Sequence, residues 1–240
     1  MNKPYAVQLM GGLGNQLFQL AATQTIADSM NCELVVVRPS LNPHSNIDYF
    51  STIFSSWNRQ LKSPAGCRLL RGYFQDHKMI EPGMELFLER LNWNGYDDIR
   101  GYDELDNSVF IHVRGGDYLK DGFSQLHHVP LTNYYQRAVQ KCSGVSHAYV
   151  FTNDLAYLDS LQCFDDIRHT VVRSKNEIHD LFLMSQCGQG GIAANSTFSW
   201  WGQYLDKRRP HLYLPDIWFN DPSYSTHGYY YREATAVGVL

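Results

Sequence analysis

Short runs rich in β-branched and aromatic residues alternate along this chain with longer stretches that have helical periodicity. The run at residues 5–10 precedes a helical stretch at about 15–30, and a buried-type strand at 33–38 follows it. Strands that alternate with helices in this way predict right-handed βαβ crossovers and a parallel sheet. Residues 40–66 are rich in Ser, Asn and Pro and are expected to be irregular surface structure.

The alternation restarts in the second half of the 240-residue chain. Between the halves, residues 94–107 are rich in glycine and acidic residues, and we expect them to link two domains, 1–105 and 106–240. Before this linker, a short block at 71–75 precedes a helical stretch that ends near residue 92. After it, the predicted strands are 108–113, 148–152, 169–172, 191–194 and 211–214, and the predicted helices are 133–142, 155–161, 176–186 and 198–205.

The composition, with 44% hydrophobic and 18% charged residues, is that of an ordinary globular protein. A formal net charge of -4 gives no general reason to expect nucleic acid or an anionic membrane as a partner, so any phosphate site must be local. No stretch approaches the roughly 18 to 20 apolar residues of a membrane span, and the start lacks the apolar core of a signal peptide, which predicts a cytoplasmic protein. The five cysteines form no Cys-x-x-Cys pair and are expected to be scattered thiols rather than disulfides or a zinc site.

A glycine-rich turn, Gly-Gly-Leu-Gly-Asn-Gln at residues 11–16, follows the first predicted strand. It lets the backbone pass close to a ligand, because three of its positions lack a Cβ. The turn does not match the dinucleotide-binding fingerprint, whose last glycine is replaced by Leu17, and it lacks the Lys and Ser/Thr of a P-loop. A ligand-contacting loop and a simple tight turn between strand and helix are both consistent with it.

Three further polar segments follow predicted strands, where ligands bind in parallel sheets. The first contains His112, Arg114 and Asp117. Residues 112 and 114 share one face of an extended chain, and an arginine beside an imidazole suits a diphosphate, whose charge grows as it leaves. The alternative is that Arg114 pairs with a carboxylate and that Asp117 caps the following turn.

The other two segments are residues 152–154, which end in Asp154, and residues 195–202, which begin with Asn195. The second opens a helix with hydroxyl groups, and the free N–H groups of a helix N-terminus bind anions. Ser and Thr are also preferred helix caps, so a purely structural role is open as well. Asp180 lies in an apolar stretch of a predicted helix, where it either favours the helix dipole or accepts hydrogen bonds from the N1–H and 2-amino groups of guanine.

Taken together, these segments resemble glycosyltransferase family 11, the α-1,2-fucosyltransferases, and more distantly the α-1,6- and protein O-fucosyltransferases. The resemblance spans about residues 5–220 and rests on five motifs in the same order. They are GGLGNQLFQ at 11–19, GYFQ at 72–75, HVRGGDY at 112–118, FTND at 151–154 and ANSTFSWWG at 194–202.

This resemblance implies an α/β fold of the GT-B type, in which two Rossmann-like domains face each other across a cleft. It implies an inverting transfer of L-fucose from a GDP-fucose donor to a glycan acceptor, with an α-1,2 linkage to galactose or a similar sugar. It also implies no metal and no other cofactor, and the chain lacks the Asp-x-Asp pair that cation-dependent transferases commonly use.

The resemblance also implies roles for individual residues. Arg114 and His112 are expected on the donor phosphates, and Arg114 is expected to stabilise the leaving diphosphate. Asp180 is expected to read guanine. The resemblance names no general base, and Asp117 is the candidate because it is the nearest acid in the sequence, the alternative being that it holds the loop. Asn15 is expected to face the cleft from the N-terminal domain, and Phe198 and Ser199 to line the nucleotide pocket. Asp154 and Asn195 are further donor-binding candidates because of their strand-end positions.

One position departs from the family pattern, in which a second arginine follows the first. Here that position is Gly115, which leaves open another GDP-deoxyhexose as the donor. A further alternative is a non-catalytic module that binds a GDP-sugar or a glycan. In such a module Tyr229, Tyr230 and Tyr231 would stack on sugar, whereas the competing interpretation is that they pack in the core. The sequence carries no information on the oligomeric state.

Overall fold

The hydrophobic runs of the sequence form two parallel sheets, one in each half of the chain. The computed structural model describes residues 3–37, 45–57, 60–61, 63–174 and 176–240. Its contacts divide the chain into a first unit, Met1–Tyr96, and a second unit, Asp97–Leu240.

The first unit contains a four-stranded sheet with the order β3-β2-β1-β4, in which neighbouring strands are parallel. Strand β1 is Tyr5–Gln8, and β2 is Leu34–Val37, whose four residues are all buried, as is typical of a parallel strand covered on both faces. The other elements are α1 (Leu13–Ser29), β3 (Gln60–Leu61), β4 (Arg68–Leu70), α2 (His77–Ile80) and α3 (Met84–Arg90).

The predicted elements of the first unit agree with these bounds to within about two residues for β1, α1 and β2. The segment predicted to be irregular, 40–66, contains the short strand β3, which was not predicted. Residue 38 of the predicted strand and residues 40–44, 58, 59 and 62 of the irregular segment lie outside the described residues.

The second unit contains a six-stranded sheet with the order β10-β9-β8-β5-β6-β7, again with parallel neighbours. Strands β6 and β7 extend the sheet from one edge of β5, and β8, β9 and β10 extend it from the other edge. The strand order therefore reverses between β5 and β8, which is the point where open α/β sheets bind ligands. The elements are β5 (Ser108–Val113), α4 (Ser124–His127), α5 (Thr132–Lys141), β6 (His147–Thr152), α6 (Leu155–Leu161), β7 (His169–Val171), α7 (Glu177–Gln186), β8 (Gly190–Ile192), α8 (Thr197–Tyr204), β9 (His211–Pro215) and β10 (Thr235–Val237).

The acid-rich segment at 97–105 belongs to the second unit by its contacts, whereas the predicted N-terminal domain extended to residue 105. His179 Nε2 lies 2.8 Å from the backbone oxygen of Asp98. Leu105 is buried in an apolar cluster with Phe110 and Leu183. These contacts explain why the segment belongs to the second unit.

Strand β5 is buried at every position and separates two apolar clusters. Its odd residues, such as Ile111 and Val113, pack with Tyr134 of α5 on one face of the sheet. Its even residues point to the other face, as the period of a strand requires, and there Phe110 packs with Leu183 of α7. The same alternation directs His112 to the face on which α7 and α8 lie.

All five cysteines are free, in agreement with the prediction of scattered thiols. Burial raises the pKa of Cys142, Cys163 and Cys187 to about 12, so these thiols stay protonated and unreactive at neutral pH. Within the described residues, no helix has the length and apolar character that a membrane crossing requires.

Candidate functional site

Three of the predicted polar segments meet at the carboxyl ends of β5, β6 and β8. Strand β5 leads into Arg114, β6 leads into Asp154, and β8 leads toward Asn195. The parallel register pairs Val113 with Thr152, so the first two loops begin side by side. The Tyr118 hydroxyl donates to the backbone oxygen of Asn195 at 3.4 Å, which connects the first loop to the third. The second unit therefore brings these segments together at the switch point.

Arg114 is paired with a carboxylate, as one of the two interpretations predicted. Its Nη2 donates to Asp117 Oδ1 at 2.6 Å, and its guanidinium lies 5.2 Å from the ring centroid of Tyr118. The Nε atom is buried and has no hydrogen-bond partner among the described residues. Unpaired buried donors are rare in proteins. The contact with Asp117 uses Nη2, so the Nε–H group remains available to donate to a bound anion.

His112 is buried beneath this loop. Burial, and next the positive charge of Arg114, lowers the pKa of His112 to about 3. Its Nδ1 has no hydrogen-bond partner within the described part of the chain, and its ring centroid lies 5.6 Å from that of Phe198. The imidazole is therefore neutral at physiological pH, so it can offer a phosphate a hydrogen bond but no charge.

Gly115 occupies the position where the family pattern has a second arginine. A Cβ at this position would lie 2.8 Å from the Cβ of Asp154 and 3.0 Å from that of Tyr157. The neighbouring backbone is tied to the same loop, since Asn153 Oδ1 accepts from the Gly115 amide and Asp154 Oδ2 from the Gly116 amide, both at 3.0 Å. The close approach of these two loops excludes a side chain at residue 115.

Asp154 is also the N-cap of α6, because its Oδ1 accepts from the Tyr157 amide at 3.0 Å. The backbone hydrogen bonds from Tyr157 and Gly116 lower the pKa of Asp154. Both carboxylate oxygens thus hold backbone amides. A contact with the donor stays a prediction for this residue.

Asn195 joins two loops at the site. Its Nδ2 donates to the backbone oxygens of His127, at 2.8 Å, and of Trp218, at 2.9 Å. The next residue caps α8, and the Ser199 hydroxyl donates back to the Ser196 oxygen at 3.3 Å. Asn195 therefore has a positioning role in this structure, and its contact with the donor stays a prediction.

Asp180 lies in the first turn of α7 beside Tyr102. Burial raises the pKa of Asp180 to about 6, and a hydrogen bond from the Ser174 hydroxyl opposes that shift. The pKa of Tyr102 is raised by its own burial and then by the charge of Asp180. Tyr102 and Phe198 are partly buried and pack on the same apolar cluster. A poorly solvated carboxylate thus lies beside the Tyr102 ring, which suits a planar, hydrogen-bonding base.

The remaining predicted residue, Asn15, belongs to the first unit. Its Oδ1 accepts from Gln75 Nε2 at 2.8 Å, so the glycine-rich turn meets the GYFQ motif. Gly11 has a φ of +79°, and Phe74 has a φ of +52°, which is rare for a bulky residue. Backbone strain of this kind clusters at functional sites. The predicted residues therefore fall into two groups, one in each unit.

Sequence reasoning missed His127, the last residue of α4. Its ring stacks on Tyr118, with centroids 5.0 Å apart, and meets Phe219 edge-on at 5.6 Å. A single histidine at the end of a four-residue helix gives no periodic or motif signal, so only the fold reveals its closeness to the Arg114 loop.

Two of the three C-terminal tyrosines are core residues. Tyr229 and Tyr231 are each 3% exposed. The ring of Tyr229 stacks on Trp218 with centroids 4.0 Å apart, and the Tyr231 hydroxyl donates to Gln203 Oε1 at 3.1 Å. Packing is confirmed for these two residues, which are not available to stack on a sugar.

A family model describes this chain. The model of glycosyl transferase family 11 matches residues 71–233, about two thirds of the chain. The chain belongs to glycosyltransferase family 11. The match includes every second-unit segment of the site.

Three curated relatives of this family 11 chain come from two organisms. It is 29% identical over 166 residues to the O-antigen biosynthesis glycosyltransferase WbnK of Escherichia coli, covering 62% of this chain and 55% of that protein. It is 27% identical over 143 residues to an alpha-1,2-colitosyltransferase of Escherichia coli (55% and 47%) and 28% identical over 125 residues to a galactoside 2-alpha-L-fucosyltransferase of Caenorhabditis elegans (48% and 34%). The matched regions span about half or less of the length of these relatives.

Two solved structures share the fold. The crystal structure of the α-1,6-fucosyltransferase NodZ co-crystallized with GDP has a TM-score of 0.51 at 14% identity, covering 88% of this chain and 94% of that chain. Fucosyltransferase NodZ from Bradyrhizobium has a TM-score of 0.50 at 13% identity, covering 88% and 95%. These similarities confirm the predicted α/β fold of the GT-B type with Rossmann-like parallel sheets.

Proposed function

We propose that this chain transfers L-fucose from GDP-fucose to a glycan hydroxyl, with inversion at the anomeric carbon and without a metal. The observation that carries the proposal is Arg114 at the switch point of the second sheet, with a buried Nε that has no partner among the described residues. A relative that is a galactoside 2-alpha-L-fucosyltransferase supports fucose and an α-1,2 linkage to galactose or a similar sugar. A fold neighbour that was co-crystallized with GDP supports a GDP-sugar donor.

In the proposed reaction, the acceptor hydroxyl attacks the anomeric carbon from the face opposite GDP. The bond from that carbon to the diphosphate oxygen breaks, and its electron pair leaves with GDP through an oxocarbenium-like transition state. Arg114 stabilises the growing charge of the diphosphate, and neutral His112 contributes a hydrogen bond. Asp117 holds the guanidinium in place through the 2.6 Å contact.

The nucleotide is proposed to lie with its guanine at Asp180. The two oxygens of that carboxylate match the N1–H and 2-amino donors of guanine. Phe198, which packs between His112 and the apolar cluster of α7, lines the same pocket in this proposal, and Ser199 follows it in α8. Asn15 belongs to the first unit, and its contact with the donor stays a prediction.

The test is turnover of GDP-fucose by an Arg114→Ala variant, measured as GDP release with a galactoside acceptor. Loss of one contact to the leaving group lowers turnover by about a hundredfold to a thousandfold. Arg208→Ala is the matched control, because Arg208 pairs with Asp206 at 2.8 Å but is 89% exposed. Retention of more than half of wild-type turnover by Arg114→Ala contradicts the proposal. EDTA should leave wild-type turnover unchanged, and a loss that added metal restores contradicts metal independence.

Transfer of another sugar from a GDP-sugar is the second candidate. It is favoured by Gly115, which removes one cation from the family pattern, and by the relative that is an alpha-1,2-colitosyltransferase. Thermal shift with a panel of GDP-sugars separates the two candidates, because the preferred donor raises the melting temperature most. A larger shift with a different GDP-deoxyhexose than with GDP-fucose favours the second candidate.

A further inference from the structure

We propose that His127 accepts the proton of the attacking acceptor hydroxyl. The inference rests on the proposed function and adds a proton acceptor to the proposed reaction. It replaces the predicted role of Asp117, whose carboxylate is engaged by Arg114 at 2.6 Å.

The first argument is the position of His127. Two ring contacts connect it to the proposed leaving-group site: the imidazole lies 5.0 Å from the Tyr118 ring, and that ring lies 5.2 Å from the Arg114 guanidinium. The imidazole and the guanidinium therefore contact the same Tyr118 ring, and the charge of Arg114 acts on His127. His127 thus lies close to the proposed leaving-group site.

The second argument is that the imidazole is available. Neither ring nitrogen of His127 has a hydrogen-bond partner among the described residues, and the side chain is only half-buried. By contrast, the neighbouring His128 places its Nε2 3.4 Å from the Tyr157 hydroxyl. His127 can therefore accept a proton from an incoming hydroxyl without losing an existing contact.

The third argument is that the residue is held firmly. Asn195 Nδ2 binds the His127 carbonyl at 2.8 Å and the Trp218 carbonyl at 2.9 Å, which fixes the histidine relative to Phe219. Phe219 in turn lies edge-on to the His127 ring. A catalytic base gains from such fixed orientation, because proton transfer requires hydrogen-bond distance to the substrate.

The charges around His127 suit a base. Burial lowers the pKa of His127, the carboxylate of Asp117 opposes that effect, and the charge of Arg114 adds to it. Tyr118 stacks on the ring from the same loop, while the contacts from the other elements, Phe219 and Phe123, carry no titratable group. His127 is therefore neutral near pH 7 and able to accept a proton.

In the step itself, the acceptor oxygen forms its bond to the anomeric carbon while its proton moves to a ring nitrogen of His127. The electron pair of the broken carbon–oxygen bond leaves with GDP. The imidazolium then releases its proton to water, which restores the neutral ring. No oxidant, metal or further reactant is required.

The experiment compares His127→Gln and His127→Phe with His128→Gln in the full chain, at saturating donor and acceptor. The phenylalanine keeps a ring between Tyr118 and Phe219 but cannot accept a proton. Loss of a general base lowers kcat by about a hundredfold or more, and we expect this for both His127 variants but not for the His128 control. Thermal unfolding and GDP affinity of all three variants should remain close to wild type.

The pH profile gives an independent readout. Wild-type kcat falls as His127 becomes protonated below its lowered pKa, and His128→Gln keeps this acidic limb, whereas His127→Gln loses it. Wild-type kcat in the His127→Phe variant shows that the ring only packs, and it overturns the inference. If the wild-type protein turns over and both His127 variants have the same kcat, the role of His127 is overturned while the proposed function stands. A wild-type protein that binds GDP but shows no turnover overturns both proposals.

Discussion

Residue 115 is a glycine because two loops pack closely against each other at this position. An added Cβ there meets the Cβ atoms of Asp154 and Tyr157 at 2.8 and 3.0 Å, and both belong to the rigid start of α6. The family arginine is thus absent from a place where this chain has no space for it. Arg114 must bind the proposed diphosphate without a neighbouring cation at residue 115.

We predict that Gly115→Ala destabilises the protein by about 1–3 kcal/mol, because overpacking forces the two loops apart. Gly238→Ala is the matched control, since the nearest atom to its new Cβ is the end of the flexible Arg137 side chain at 3.0 Å. Urea unfolding measures both. Equal stability of Gly115→Ala and wild type is inconsistent with the close approach described above.

Asp180 offers a test in which stability and binding change in opposite directions. Because burial raises the pKa of Asp180 to about 6, its ionised form costs free energy of folding at pH 7. Asp180→Asn should therefore raise the melting temperature of the ligand-free protein while it weakens GDP binding. A variant that binds GDP as well as wild type removes the guanine role of this residue.

The pH dependence of GDP affinity has a definite sign. Guanine needs the carboxylate, so wild-type affinity should fall by up to about tenfold for each pH unit below 6 as Asp180 becomes protonated. The phosphate of GDP also titrates in this range, but its titration affects binding to wild type and to Asp180→Asn equally. Calorimetry on both proteins between pH 5 and 8 isolates the difference, and parallel curves exclude Asp180 as its source.

At the scale of elements, Arg209 holds the ends of two helices that lie at the site. Its buried guanidinium donates to the backbone oxygens of Met184 and Cys187, at the end of α7, at 2.8 and 3.1 Å. It also donates to those of Gly202 and Gln203 in α8, at 2.6 and 2.9 Å. One planar side chain thus satisfies carbonyls that helix ends leave without partners.

Arg209→Met should destabilise the protein by about 3 kcal/mol or more, because several buried carbonyls lose their donor at once. The adjacent Arg208→Met serves as the control, as that side chain is 89% exposed. Denaturant unfolding measures the difference between the two variants. Similar stabilities would show that water replaces the guanidinium without cost.

The sequence predicted the central elements well because their signals are strong. β5 and α6 lie where the pattern placed them, since a continuous apolar strand and a helix capped by Asp154 are both locally encoded. The strand β10 and the short helix α4 were not predicted. Each has only three or four residues and takes its conformation from tertiary contacts rather than from its own periodicity.

Motifs located the site better than they described its contacts. Arg114 was predicted from its strand-end position, but the unpaired Nε and the partner Asp117 depend on how the loop folds. His127 and Arg209 gave no signal, because the meaning of each comes from residues distant in the chain. Long-range proximity is the part that a single sequence does not encode locally.

At the scale of the whole molecule, the two units should respond differently to nucleotide. The contacts proposed for the diphosphate and the guanine, those of Arg114 and Asp180, lie in the second unit, 97–240. Hydrogen exchange with saturating GDP should slow at the amides after β5 and at the start of α8, since binding suppresses local opening. Protection confined to residues 3–37 would place the nucleotide elsewhere.

The reversal of strand order in the second sheet also governs how the chain can fold. β5 pairs with β6 and also with β8, so its second edge stays open until residues 190–192 have left the ribosome. Parallel sheets assemble slowly, because the entropy cost of closing a long loop precedes the contacts that offset it. Until the sheet is complete, the unpaired strand edge can associate with other chains. Refolding yield should therefore fall as protein concentration rises, because chains in which the centre of this sheet is incomplete associate with one another.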